Sequence, residues 1–96
     1  MLRCRGDENR VTQSRRRQAL ARAFRAQGDD VVDMSELAFA DVSLMVDLAM
    51  LARRLRRKGR AVRLRGARPH IRLQIERAGL LRLAGVRMES PAQALA

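Results

Sequence analysis

Asp41 and Ser43 stand two residues apart where a turn gives way to a long helical pattern. A carboxylate at a helix start accepts hydrogen bonds from unpaired first-turn amides, and a first-turn serine hydroxyl does the same. No base is in evidence to turn that hydroxyl into a nucleophile. His70 is the only histidine, follows Pro69 at a helix start, and has no serine or cysteine partner suggested by spacing. Asp33 falls near a strand end and Asp47 on a helix, so the two form no evident acid–base pair. Cys4 is alone, which excludes an internal disulfide and suits a reducing cytosol. Histidines and cysteines do not cluster at metal-ligand spacing, and the scattered glycines match no phosphate-binding loop. The expectation is a binding protein without catalysis, metal or cofactor.

These residues must be positioned by a single domain, since 96 residues support one packed core. Met1 to Arg5 alternates apolar and basic and predicts a half-buried strand ended by Gly6-Asp7-Glu8-Asn9. Ala19, Leu20, Ala23 and Phe24 recur at helical spacing over Thr12 to Gln27, with Gly28 as the stop. Val31 to Met34 predicts a short strand, and Leu37 and Phe39 carry an apolar line into the turn before Asp41. From Val42 to about Lys58, Leu44, Leu48, Leu51 and Leu55 form one stripe, flanked by Met45 and Ala52. Ala61 to Arg65 predicts a strand, and Pro69 opens a helix closed by Gly79. Leu80 to Met88 includes a last short strand, and residues 89–96 form a C-terminal tail. Alternating strands and helices predict an α/β sheet built from right-handed crossovers, with functional residues at the carboxyl ends of its strands.

The formal net charge is +11, and Lys58 is the only lysine. Such arginine bias fits a GC-rich bacterial genome. Arg15-Arg16-Arg17 and the cluster Arg53 to Arg60 read first as solvated faces inflated by codon usage. Nucleic-acid binding through these clusters is the alternative, although no recognition-helix pair or stacking aromatics accompany them. The apolar run from Val42 to Ala52 is broken by Asp47 and is too short to span a bilayer. No membrane association and a cytoplasmic location are expected.

The segment Asp41-Val42-Ser43-Leu44-Met45 resembles the switch motif of the STAS domain, the fold of bacterial anti-sigma-factor antagonists. Their motif is Asp-Ser-Ser-Gly-Leu, and Asp41 and Ser43 match it. Gly6-Asp7-Glu8-Asn9 is similar to the family's early glycine-acidic turn, and Arg68-Pro69 through Gly79-Leu80 resembles its Ser-Pro helix. The resemblance implies a STAS-like α/β domain over residues 1–88, with a small mixed, mostly parallel sheet of about four strands. The helices would pack mainly on one face. It implies a regulatory module that binds an anti-sigma factor with serine kinase activity and is switched by phosphorylation at Ser43. Partner contacts would come from Asp41, Val42, Leu44, Met45 and Asn9. Val42 and Leu44 replace the first serine and the glycine of the motif, so a degenerate, unswitched adaptor is the second reading. The family normally has one more N-terminal strand, so either the sheet edge is bare or the true start lies upstream. A bare edge offers unpaired backbone groups for a homodimer.

Overall fold

The computed structural model describes residues 2–25 and 30–89. Four strands alternate with three helices: β1 (Leu2–Glu8), α1 (Gln13–Arg25), β2 (Asp30–Ala40), α2 (Val42–Arg56), β3 (Val62–Arg65), α3 (Pro69–Arg77) and β4 (Val86–Met88). A single 3₁₀ turn, Leu80–Arg82, precedes β4. The strands lie in sequence order β1-β2-β3-β4. All three pairings are parallel, so the antiparallel component expected of a mixed sheet is not found among the described residues. Right-handed crossovers between successive neighbours carry every helix to the same side. One sheet face is accordingly the core, with Cys4, Val32, Met34, Leu37, Val62, Leu64 and Val86 buried on it. The other face carries Arg3, Arg5, Asp33, Arg63, Arg65 and Arg87 and is open or half-open.

Two expected boundaries are corrected. β1 does not stop before Gly6 but continues to Glu8, and β2 does not stop at Met34 but runs to Ala40. The reason is the register. Arg3 pairs with Asp33 while Arg5 pairs with Glu36, and Gly6 pairs with Leu37 while Asp7 pairs with Phe39. Each step leaves β2 one residue longer than its partner, the signature of a β-bulge. The first bulge is stabilised locally, because Asp33 Oδ1 accepts from the Ser35 amide at 2.9 Å and the Ser35 hydroxyl at 2.7 Å. Gly6, at φ 58°, supplies a backbone conformation that other residues rarely adopt.

The predicted leucine stripe of α2 is the centre of the core: Leu44, Leu48, Leu51 and Leu55 are all buried, with Met45 and Ala52 beside them. Ile71 and Ile75 close the core from α3. His70 Nε2 donates to the Ala38 carbonyl at 2.6 Å and the Gln74 amide to the Ala40 carbonyl at 3.0 Å, tying α3 to the end of β2. Glu89 directly follows β4 and is bonded to β3. Its amide donates to the Leu64 carbonyl, and its carboxylate takes Arg65 Nε at 2.7 Å. The side chains of Ala23 and Phe24, the stop signal at Gln27-Gly28 and residues 90–96 lie outside the described residues.

Cys4 is buried in the core, and burial pushes its thiol up from 9.0 to about 12, with Glu8 adding to the rise. The fold therefore favours the protonated thiol. That contribution is whole below pH 9 and is lost as pH rises through the window from about 9 to about 12. A disulfide reagent at pH 8 should label Cys4 only at the rate of unfolding, and labelling should become immediate in urea. Prompt labelling of the native protein would contradict this burial.

Candidate functional site

Glu8 ends β1 and Asn9 follows it, Arg16 lies one turn into α1, Asp41 precedes α2, and Ser43 and Asp47 lie in its first two turns. Asp41 is the α2 N-cap, with extended backbone and Oδ1 accepting from the Ser43 amide at 2.9 Å. The Ser43 hydroxyl donates to the same Asp41 oxygen. From the other side, Arg16 Nη2 donates to Ser43 Oγ at 3.0 Å. The capping role read from sequence is thus observed. The solvent access that phosphorylation at Ser43 would need is not found, because Ser43 is only 7% exposed and its oxygen is held between Asp41 and Arg16.

Arg16 is the hub of this corner. Its side chain is 2% exposed. Nη1 meets Glu8 Oε1 at 2.9 Å, and both Nε and Nη2 lie 2.9 Å from Asp47 Oδ2. Nη1 also lies 3.4 Å from the Asn9 carbonyl. One guanidinium therefore joins β1, α1 and α2. Burial works against its charge, but the bonds to Glu8 and Asp47 outweigh that and hold Arg16 above its ordinary value. Asn9 serves the same corner through its backbone, while its side-chain oxygen accepts from the Val11 amide at 2.8 Å in the turn into α1.

Of the residues assigned to a partner, Asp41 and Val42 are exposed and Asn9 is half-buried. Leu44 and Met45 are corrected: at 0% and 6% exposure they face the core and offer nothing to another molecule. Helical spacing explains both, since Leu44 leads the buried stripe and Met45 lies beside it. The outward counterparts missed in the sequence are Val46 and Met50, which with Val42 repeat every four residues and remain exposed. Phe39, at the end of β2, is 69% exposed. Beside Met50 a groove of about 270 Å³ opens between α1 and α2, lined by Leu20 and Leu51 and rimmed by Arg17 and Arg54. Arg16 and Asp47 were also missed as a pair. The available signal was Asp47 itself, an acid interrupting an apolar run on a core-facing helix, which requires a cation when buried.

The family model described as "Mlab, STAS domain" matches residues 1–87. The chain belongs to the STAS domain family. A solved STAS domain of a SulP transporter from Vibrio cholerae has the same fold, with a TM-score of 0.68 at 15% identity. That alignment covers 98% of this chain and 75% of the other. A search of curated proteins returned no match. STAS domains are generally non-enzymatic modules that mediate protein–protein interactions, and this chain is a STAS-type regulatory or interaction module. Among the described residues, no helix is long and apolar enough to cross a membrane.

The Asp41 carboxyl is held below its ordinary value, first by the Ser43 hydroxyl and then by the first-turn amides. A lowered folded value means that its contribution is present above pH 3.8 and is lost as pH falls through the folded value. Asp41→Asn should therefore unfold at a lower urea concentration than wild type at pH 6. The gap should narrow as pH drops below 3.8. A gap independent of pH would show that the carboxylate charge contributes nothing to the cap.

Proposed function

We propose that this STAS domain is a non-catalytic adaptor that docks a partner protein on the outward face of α2, with Ser43 as a structural hydroxyl. The observation that carries the reading is the exposed row Val42, Val46 and Met50 running from the capped helix start towards the α1–α2 groove. Contiguous exposed apolar side chains on a helix face mark contact surfaces more often than isolated ones do. An anti-sigma factor, the partner implied by the family resemblance, would meet this same row.

The phospho-switch is the second reading, and the local geometry disfavours it. A kinase must bring the acceptor oxygen in line with a γ-phosphate. Here the oxygen bonds Arg16 and Asp41 and is nearly sealed from solvent, so transfer requires the helix start to open first. The family's Ser-Gly pair around the acceptor is replaced by Val42 and Leu44, and Leu44 anchors that start in the core.

A photo-activated cross-linker in place of Val46, expressed in native cells, tests the docking face. The expected result is one discrete adduct that is absent when the cross-linker replaces Leu73, an exposed residue of α3. Equal capture from both positions would remove the assignment of the face. Intact-mass analysis of the native protein tests the hydroxyl. Unmodified Ser43 supports the adaptor, and stoichiometric phosphate on Ser43 restores the switch.

A further inference from the structure

The outward face of α2 changes character half-way along. Val42, Val46 and Met50 are followed by Arg53 and Arg57, and steps of four, four, three and four residues keep all five on one stripe. From Leu48 to Ile75 the chain has no acidic side chain, against ten arginines and lysines. Some arginines elsewhere find carboxylates, as Arg5 does with Glu36, Arg17 with Asp47, Arg65 with Glu89 and Arg72 with Glu76, and the described ones that do not are scattered, not crowded on one helix turn. Among the described residues, no carboxylate forms an ion pair with Arg53, Arg54, Arg56 or Arg57, and all four are exposed. The dipole of α2 accounts for a cation or two in its last turn. Four arginines crowded with no carboxylate partner among the described residues exceed that need and repel one another.

Resting on the docking face proposed above, we propose that the whole stripe is one docking surface for an acidic–apolar protein segment. The segment is apolar where it meets Val42, Val46 and Met50 and carries carboxylates where it meets Arg53 and Arg57. Charge complementarity selects this occupant. A nucleic-acid backbone would satisfy the arginines, but it would leave the apolar half facing water and find no aromatic side chain on the stripe to stack against. An anionic bilayer attracts helices whose cations flank an apolar face along its length. Here the two characters are divided end to end, as in a protein strip with an apolar centre and a charged rim. The guanidinium fork suits bidentate pairing with a carboxylate, so the arginines specify orientation as well as attraction.

The protein captured through residue 46 is identified by mass spectrometry and purified, and its Kd is measured against four forms of this domain. These are wild type, Val46→Arg, Arg53→Gln/Arg57→Gln and Arg53→Glu/Arg57→Glu, each checked for helix content by circular dichroism. The proposal expects the double glutamate to weaken binding by about tenfold or more, with the double glutamine intermediate. It expects added salt to weaken wild type but not the double glutamate. Reversing carboxylates in the captured segment should restore affinity for the double glutamate. An unchanged Kd in both double variants, with binding lost in Val46→Arg, would overturn the acidic partner and leave the docking face standing. No adduct from residue 46 in any form would end both. Random-sequence DNA or phosphatidylglycerol vesicles that bind wild type and release the double glutamate, while the partner's Kd stays constant, would reassign the arginines to phosphate and overturn the proposal.

Discussion

Arg16→Ala should lower the free energy of unfolding by about 3–5 kcal/mol, because it strips the counter-ion from a buried carboxylate. Asp47 is 2% exposed at its side chain and takes Arg16 through two nitrogens. Its other ionic partner among the described residues, Arg17, is more distant at 3.4 Å and has a side chain that is 58% exposed. Without Arg16, Asp47 and Glu8 would face each other across a space that water enters poorly, and Ser43 would lose its donor. A loss of this size is a large share of the roughly 5–15 kcal/mol that domains of this class possess. Chemical denaturation at neutral pH measures it. A fall below about 1 kcal/mol would mean that the corner hydrates freely and that the network is not a strut. A triple variant, Arg16→Met with Asp47→Leu and Glu8→Gln, should recover most of the loss, since apolar replacement of a whole buried ionic group is often neutral. Recovery would separate the penalty of an orphaned charge from the intrinsic worth of the pair.

Leu44→Ala should cost about 3–5 kcal/mol, while Val42→Ala should stay within about 0.5 kcal/mol. The two residues are separated only by Ser43, yet Leu44 is 0% exposed and Val42 is 72% exposed. Truncating Leu44 removes apolar area from the core and leaves a cavity beneath the helix start. Truncating Val42 removes methyl groups already in water. The partner assay should rank the pair in reverse, with Val42→Asp weakening docking at unchanged stability. Equal stability losses at the two positions would mean that the helix sits about a quarter-turn from the described orientation.

Much of this architecture was legible in the letters. A leucine every three or four residues has one solution on an α-helix, and Asp41 before that pattern fixes where the helix starts. β2 was only half legible, because its bulges break the alternation by which strands are recognised. Ser35 and Glu36 both face outward, and the buried set resumes at Leu37. Period-two reading ends at the first such defect, although the ladder with β1 does not. The surroundings of Ser43 were illegible for a different reason. A first-turn serine is exposed or covered according to what another segment brings to it, and here that segment is α1, 27 residues earlier in the chain. Within Arg15-Arg16-Arg17 only the helical phase selects the middle residue for the interior, and three identical letters conceal the phase.

The parallel sheet and its returning helices sort the net charge between two poles. Asp7, Glu8, Asp41 and Glu89 gather where the strands finish, offsetting the arginines there. Where the helices finish, Arg22, Arg25, Arg53, Arg54, Arg56, Arg57 and Arg77 collect with few carboxylates among them. A domain so polarised turns as it diffuses in the field of an acidic body, its helix-exit end leading. Collisions would then begin pre-aligned, and the rate of productive encounter would respond to ionic strength before any side chain has touched.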